Sequence, residues 1–482
     1  MKALVASLLA LLLVDAIKGS QHGDGHCKYK RRLGPRPHSV TLTEFGAVGD
    51  GVTLNTLAFQ NAIFYLKSFA DKGGAQLYVP KGKWLTGCFN LTSHLTLFLD
   101  KGAVIMATQD LSQWPPIGFL PSYGRGIELP GDRFIGLSLL EAPPIIHFYF
   151  FRTGDNGTID GRGSIWWDSF RSHSLNYSRP DLIELINSDA VLISNLTFLN
   201  PPAWTIHPVY CRFVFFIKSS SFSYRKQCRA SESNNQCSLK FSTYQWLSAS
   251  CHFLPISDSS SEICIEDCTI TVGHDAISLK SGWDEYGISY SKPSSNIYIT
   301  NVFLSSLHGS ALAFGSEMSG GISGIHADHL HIYNSNIAID FRTALGRGGF
   351  MENIVISYVD VQHVRTAIQF TGNCSSHPDE RYDPKALPIV DRVTIKNVIG
   401  TNISVVGALH GIEHDPFTAI CLSNIHMTLQ SPETSSSWTC SNVSGFSEKV
   451  SPEPCSDLMI HYSNSSLLCY SLENFKYSLA SA

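Results

Sequence analysis

One short pattern of apolar and polar residues returns seven times along the chain. In Ile297–Leu304 (IYITNVFL), apolar residues alternate with other residues on both sides of a central polar residue. The central positions of the copies are Asn195, Asp267, Asn301, His329, Tyr358, Asn397 and Asn424. Alternation with a period of two predicts strands that each bury one face. Strands this short cannot each form a core alone, so they must pack on one another.

The spacing between the copies indicates how these strands pack. Successive centres lie 72, 34, 28, 29, 39 and 27 residues apart. Stacking one strand-turn unit on the next buries a continuous apolar column, which predicts an all-β solenoid, a parallel β-helix. The break in alternation at the central residue predicts a corner, where a polar side chain bonds to the turn or stacks on its equivalent in the next coil. The alternative is an antiparallel sandwich, which has turns roughly every 8–12 residues.

The N-terminal part of the chain departs from this pattern. Residues 54–70 carry apolar side chains at helical spacing, including Ala62 and Leu66. This spacing predicts a helix, and we expect the helix to cap the open end of the solenoid. Two strands are expected after it, around Gln76–Val79 and Leu95–Leu99.

The largest gap, of 72 residues, contains no recognisable copy of the pattern. Within it, residues 212–257 are rich in serine, and six Lys or Arg residues between Arg212 and Ser250 are balanced by a single acid, Glu232. We expect an anomalous insert here that cannot be laid onto a coil. It is either a genuine segment or a sequence artefact, such as read-through of an intron, that has displaced a genuine coil.

Composition supports a large folded domain. Hydrophobic residues make up 43% of the 482 residues and charged residues only 16%, which argues against a disordered chain. The formal net charge is −5, so the composition does not indicate a nucleic-acid partner.

The first residues indicate export. Lys2 precedes an apolar stretch from Ala3 to Val14, which is too short to span a bilayer, and no later apolar run predicts a membrane anchor. We therefore assign residues 1–19 to a signal peptide, 20–39 to an N-terminal tail, 40–470 to the β-helix and 471–482 to a C-terminal tail. Glycosylation sequons agree with a secreted, extracellular protein, which we expect to be a monomer. They begin at Asn90, Asn156, Asn176, Asn195, Asn373, Asn402, Asn442 and Asn464.

Thirteen cysteines agree with an oxidising compartment, where disulfides are the default expectation. They include the close pair Cys264 and Cys268 and a C-terminal group. That group is Cys421, Cys440, Cys455 and Cys469. The odd number leaves at least one thiol without an intramolecular partner. No Cys or His spacing indicates a metal site, and no cofactor is expected.

Four further segments resemble the motifs of one enzyme family. They are Phe45–Gly51 (FGAVGDG), Asn200–Pro208 (NPPAWTIHP), Ser281–Gly287 (SGWDEYG) and Ala313–Gly321 (AFGSEMSGG). In this order they resemble the plant-type branch of the polygalacturonase family of glycoside hydrolases, and the resemblance runs from about Val40 to about Cys469 apart from the insert. It implies a right-handed parallel β-helix of the pectin lyase-like type. It also implies hydrolysis of α-1,4-galacturonan, the acidic polymer of pectin, with inversion at the anomeric carbon.

Inverting hydrolysis needs two carboxyl groups roughly 6.5–9.5 Å apart, one to donate a proton to the leaving oxygen and one to activate water. The family's pair of adjacent acids falls on His274 and Asp275, so a histidine stands at the donor position. We expect Asp275 to activate water, and protonated His274 or a nearby acid to donate the proton. The third acid of the family would fall on Phe253, inside the insert.

The remaining site residues also depart from the family. Its histidine aligns with Ser310, and His308, two residues earlier, is a candidate in its place. A polyanionic substrate needs Arg or Lys to bind its carboxylates. The family's Arg-X-Lys falls on Asp340-Phe341-Arg342, so we expect Arg342 together with Lys280 to bind substrate.

These departures leave two functions open. The first is a hydrolase of pectic polysaccharide with an incomplete catalytic site, and the second is a non-catalytic β-helix that binds pectin or another wall polysaccharide. A lyase on the same scaffold is a third alternative, although that chemistry generally uses a bound cation or an arginine base and the sequence shows no acidic calcium cluster.

Overall fold

The computed structural model describes residues 36–129, 131–141, 149–222, 256–374, 376–431 and 436–458. Three α-helices are present in these ranges: α1 (Thr56–Lys67), α2 (Ser164–Arg171) and α3 (Asp284–Tyr290). Short 3₁₀ turns span Leu42–Phe45, Leu111–Gln113 and Ser456–Leu458.

The rest of the regular structure is β-strand. In chain order the strands are β1 (His38–Thr41), β2 (Asp50–Leu54), β3 (Ala75–Val79), β4 (Gly82–Thr86), β5 (Phe89–Asn90), β6 (Leu95–Leu99), β7 (Ala103–Ala107), β8 (Pro116–Ile117), β9 (Arg133–Phe134), β10 (Ser138–Glu141), β11 (Tyr149–Asp160), β12 (Ile183–Ile186), β13 (Asp189–Leu199), β14 (Ile206–Val209), β15 (Arg212–Ile217), β16 (Ser220–Phe222), β17 (Ile256–Asp258), β18 (Ser261–Glu266), β19 (Thr269–Val272), β20 (Ile277–Lys280), β21 (Ser294–Ser306), β22 (Ser310–Phe314), β23 (Ile322–Tyr333), β24 (Ile337–Arg342), β25 (Phe350–Thr371), β26 (Ile389–His410), β27 (Phe417–Leu429), β28 (Ser436–Ser441) and β29 (Val443–Ser451).

Nearly all strand pairs are parallel, and each strand pairs with its equivalent in the next coil. Along β21, β23, β25, β26 and β27 the register places five apolar residues in one column. These residues are Ile297, Ile325, Ile354, Val393 and Ile420, each at most 1% exposed. The period-two pattern therefore forms a single continuous core, and the predicted parallel β-helix is confirmed. In the described residues the antiparallel pairing is limited to β8 with β9 and isolated bridges.

The central polar residue of the repeat forms a corner, as the break in alternation predicts. Asn301, Asn397 and Asn424 all have φ between 51° and 54°, in the left-handed region that asparagine tolerates better than most residues. Their side chains link neighbouring coils: Asn424 Nδ2 donates to Asn397 Oδ1 at 2.8 Å, and Asn301 Nδ2 donates to Asp267 Oδ1 at 2.6 Å. The corners thus bend each strand without breaking the parallel ladder.

The N-terminal helix is present as predicted, with slightly shorter bounds, Thr56–Lys67. Its residues Phe59, Ala62 and Leu66 are buried, and Phe59 stacks on Phe89 with ring centroids 4.6 Å apart. Burial of one helical face against the first coils covers apolar surface that would otherwise be exposed at the end of the solenoid. The strands expected after it are β3 and β6.

The expectation that residues 212–257 cannot join a coil is wrong for both ends of this segment, since its last two residues belong to β17, which pairs with β20. Strand β15 pairs with β13 on one side and β18 on the other, and β16 pairs with β13 and β19. Val214 and Phe216 point into the core, and Lys218 (φ 53°) occupies the corner position. A lysine corner followed by serines concealed this copy of the repeat. The hypothesis of an artefact is therefore confined to residues 223–255, which lie outside the described residues.

The cysteines only partly follow the expected disulfides. Cys440 and Cys455 form a disulfide with each other. Cys264 and Cys421 each take part in a further disulfide. Cys268 is instead a buried thiol whose Sγ donates to the Glu266 carbonyl at 3.2 Å, so the expectation of a disulfide is wrong there. The corner between β18 and β19 turns its side chain into the core. Among the described residues, no helix is long and apolar enough to span a membrane.

Candidate functional site

The candidate site lies along one face of the β-helix. On this face the parallel strands are, in order, β14, β17, β20, β22 and β24. The register aligns Asp258 with Lys280, and it aligns Ser278 with Ala313 and then with Asp340. Residues far apart in sequence therefore stand side by side. The turn before β20 carries His274 and Asp275.

Asp275 is 1% exposed and held on both carboxyl oxygens. Its Oδ2 accepts a hydrogen bond from Arg342 Nη2 at 2.5 Å, and its Oδ1 accepts one from the Ser310 backbone N–H at 2.9 Å. Burial on its own would raise the pKa of this carboxyl, but Arg342, the Ser310 amide and the charge of Lys280 hold it below its ordinary value. Asp275 is therefore ionised at neutral pH, and its role in activating water stays a prediction.

His274 is half-buried beside Asp275, and its ring centroid lies 6.5 Å from that of the exposed His308. Burial lowers the pKa of the His274 imidazole, and the neighbouring side chains of His308 and Arg179 lower it further, while Asp275 acts in the opposite direction. A neutral imidazole is a poor proton donor, so this environment opposes the predicted donor role. The catalytic roles of His274 and His308 stay predictions.

Asp340 is a second buried carboxyl group in the same site, also 1% exposed. Its Oδ2 accepts a hydrogen bond from Ser310 Oγ at 2.7 Å, and its Oδ1 accepts one from Gln369 Nε2 at 3.1 Å. Arg342 Nε lies 3.6 Å from its Oδ2. Burial raises the pKa of Asp340 to about 6, although Arg342 and Ser310 oppose the rise. From the sequence alone, Asp340 stands out only as an acid at a position where the family has a positive charge.

The two cations expected to bind substrate are both engaged with acids of the protein. Lys280 is fully buried and forms an ion pair with Glu317. Arg342 is 5% exposed and holds Asp275. In this arrangement the two cations partly neutralise the buried acids around Asp275, a buried group that we call the floor of the site. Their contact with a substrate carboxylate stays a prediction.

A buried polar cluster that the sequence analysis missed lies beside the site. His207 Nδ1 lies 3.0 Å from Asp181 Oδ2 and 3.9 Å from Glu184 Oε1, and these ligand atoms lie within 4.8 Å of one another. Arg133 forms an ion pair with Glu184, and Asp258 Oδ2 lies 3.9 Å from His207 Nε2. The group resembles a metal site in residue types, yet Arg133 already supplies a cation at Glu184. Because His207 lies on β14, one coil after Asp181 and Glu184, no short motif in the sequence reveals the cluster.

The Ser281–Gly287 motif begins directly after Lys280, the last residue of β20. A Cβ on Gly282 (φ 88°) would lie 2.7 Å from Gly287 Cα, so close packing of the two backbones excludes a side chain there. Asp284 of the motif forms a fully buried ion pair with Arg347. The motif therefore fixes the backbone that follows the rung carrying Lys280. The position expected for the third acid, Phe253, lies outside the described residues.

Residues 253–454 match the family model described as glycosyl hydrolases family 28. A probable polygalacturonase from Vitis vinifera is 42% identical over 423 residues, which cover 88% of this chain and 81% of the relative.

Two solved structures share the fold. An exopolygalacturonase from Thermotoga maritima superposes with a TM-score of 0.70 at 22% identity, over 87% of this chain and 93% of the other. A polygalacturonase from Erwinia carotovora gives a TM-score of 0.60 at 17% identity, over 87% of this chain and all of the other. These similarities identify the solenoid as a right-handed parallel β-helix.

Proposed function

Since the chain belongs to the glycosyl hydrolases of family 28, we propose that it hydrolyses the α-1,4-galacturonan of pectin with inversion at the anomeric carbon. The observation that carries this proposal is Asp275, a buried carboxylate that Arg342 and the Ser310 amide keep ionised. An ionised acid with fixed orientation is what the water-activating step needs. Relatives named as polygalacturonases support the choice of substrate.

In the proposed reaction, Asp275 accepts a proton from a water molecule as the water oxygen bonds to the anomeric carbon. The glycosidic bond breaks on the opposite side of the sugar, and its oxygen takes up a proton from a donor. Arg342 and Lys280 are each paired with an acid of the protein, and we expect them to attract the carboxylates of the polymer as it binds.

We expect the protein to act outside the cell, as a monomer, on a pectic polysaccharide. The disulfide between Cys440 and Cys455 supports an oxidising compartment.

A second candidate function is binding of pectin without cleavage. It is favoured by the half-buried His274, whose lowered pKa leaves the expected donor position uncharged at neutral pH. The two functions differ in whether polymer is only retained or also shortened.

The test measures reducing ends released from polygalacturonate and retention on immobilised polygalacturonate. The wild-type chain is compared with Asp275→Asn and with the control Asp360→Asn, which changes a partly exposed acid of β25. The proposal predicts that Asp275→Asn lowers the rate by about 10²–10⁴-fold and the control leaves it unchanged. Retention of all three proteins without any release of reducing ends would instead support the binding function.

A further inference from the structure

Inverting hydrolysis needs a protonated carboxyl in addition to the carboxylate that activates water. Asp275 is held as the carboxylate, and His274 stands where a donor acid is expected. We propose that Asp340 is the proton donor for the leaving oxygen, because its carboxyl shares Ser310 and Arg342 with Asp275 on the floor of the site. This inference rests on the proposed hydrolase function. It assigns the protonation of the leaving oxygen to a residue that lies two coils after Asp275.

Ser310 and Arg342 bring the two carboxyl groups together. Ser310 donates its backbone N–H to Asp275 at 2.9 Å and its hydroxyl to Asp340 at 2.7 Å. Arg342 contacts Asp275 through Nη2 at 2.5 Å and approaches Asp340 through Nε at 3.6 Å. One serine and one guanidinium therefore hold both acids in the same site, each acid within a direct contact of the same two residues.

The surroundings of the two acids push them towards opposite protonation states. Arg342 contacts Asp275 at 2.5 Å but lies 3.6 Å from Asp340, so the positive charge of the guanidinium stabilises the Asp275 carboxylate more than the Asp340 carboxylate. Asp340 is buried next to the negative charge of Asp275, and Cys374 acts in the same direction. Burial raises the pKa of Asp340 to about 6, so it holds its proton in mildly acidic solution. Two neighbouring acids with separated pKa values are the usual arrangement of a glycosidase acid and base.

The proton balance of the step is complete. The carboxyl proton of Asp340 bonds to the glycosidic oxygen as the bond between that oxygen and the anomeric carbon breaks, and the bonding electron pair stays on the oxygen. Water bonds to the anomeric carbon from the other side and gives one proton to Asp275. Asp340 ends as a carboxylate and Asp275 as a carboxylic acid, and exchange of protons with solvent restores both.

The test uses two substrates with different leaving groups. Polygalacturonate needs a proton on its leaving oxygen, whereas an aryl galacturonide with a dinitrophenolate leaving group does not. We expect Asp340→Asn to lower the rate on polygalacturonate by about 10²–10⁴-fold and to change the rate on the aryl substrate much less. Asp275→Asn should slow both substrates, and the matched control Asp360→Asn should slow neither. Asp340→Glu, which keeps a carboxyl, should retain more activity on polymer than Asp340→Asn.

The pH profile supplies a readout that a purely structural role would not change. Activity of the wild type should fall as the pH rises through the pKa of Asp340, near 6, and Asp340→Asn should lose this basic limb from its residual activity.

Four outcomes would overturn the assignment. Full activity of Asp340→Asn on polymer would remove Asp340 from the mechanism and leave the hydrolase function standing. Equal losses on the two substrates, or equal losses in Asp340→Asn and Asp340→Glu, would show a structural role. A wild-type chain that cleaves neither substrate would reject the hydrolase function and the donor with it.

Discussion

Replacing Arg342 by glutamine tests the electrostatic argument for Asp275 most directly. The change removes one partner of a buried ion pair, in which the arginine is 5% and the aspartate 1% exposed. Leaving a buried charge without its partner costs about 3–5 kcal/mol. Asp275 keeps the Ser310 N–H and the nearby charge of Lys280, so we expect the free energy of unfolding at pH 7 to fall by about 3 kcal/mol, the lower end of this range.

The loss should depend on pH with a defined sign. In the wild type the pKa of Asp275 is lowered by folding, so its ionised form stabilises the fold above the unfolded pKa, and this stabilisation is lost as the pH falls through the lowered value. In Arg342→Gln burial dominates and raises the pKa, so the fold is destabilised as the pH rises through the raised value. The difference in unfolding free energy between the two proteins is therefore largest at neutral pH. Below the variant's pKa it shrinks by up to about 1.4 kcal/mol per pH unit.

Denaturant unfolding followed by tryptophan fluorescence at pH 7 and pH 4.5 measures the loss of unfolding free energy and its dependence on pH. The matched control is Arg392→Gln, since Arg392 is 42% exposed and pairs with Glu352 at the surface. Its loss should stay below about 1 kcal/mol and change little between the two pH values. If Arg342→Gln lost less stability than this control, or lost the same amount at both pH values, the reasoning about Asp275 would be refuted.

Three further predictions concern the fold around the site. Phe341→Ala, in a ring stack with centroids 4.3 Å from each neighbour, should lower the free energy of unfolding by about 3–5 kcal/mol in the same denaturant assay. Removal of the disulfide between Cys440 and Cys455, which are 15 residues apart, by Cys440→Ser together with Cys455→Ser should cost about 3 kcal/mol in the same denaturant assay. Glu317→Gln leaves buried Lys280 without its ion partner and should cost about 3–5 kcal/mol. In contrast, Lys280→Met combined with Glu317→Leu should be nearly neutral, and a large loss in that double variant would show that the pair has a further role.

The sequence by itself determined the solenoid. Alternating apolar residues around Asn301 or Asn397 specify a strand, a corner and a second strand, and these local signals agree with the global fold. The helical spacing of apolar residues located the N-terminal helix, and the resemblance to the polygalacturonase family located Asp275. The search for the repeat failed at Lys218, because a corner with an unusual residue carries no local signal that a search for polar repeats would recognise.

The tertiary structure alone decided which side chains meet and in what protonation state. Asp340 pairs through Ser310 with Asp275 because parallel register places residues 30 and 35 positions apart on adjacent rungs. Burial then separates their pKa values, and burial is a property of the packed coils rather than of any short segment. The sequence alone showed a histidine in place of one acid. The packed coils supply a second carboxyl at that site, because stacking brings together residues whose spacing along the chain carries no recognisable motif.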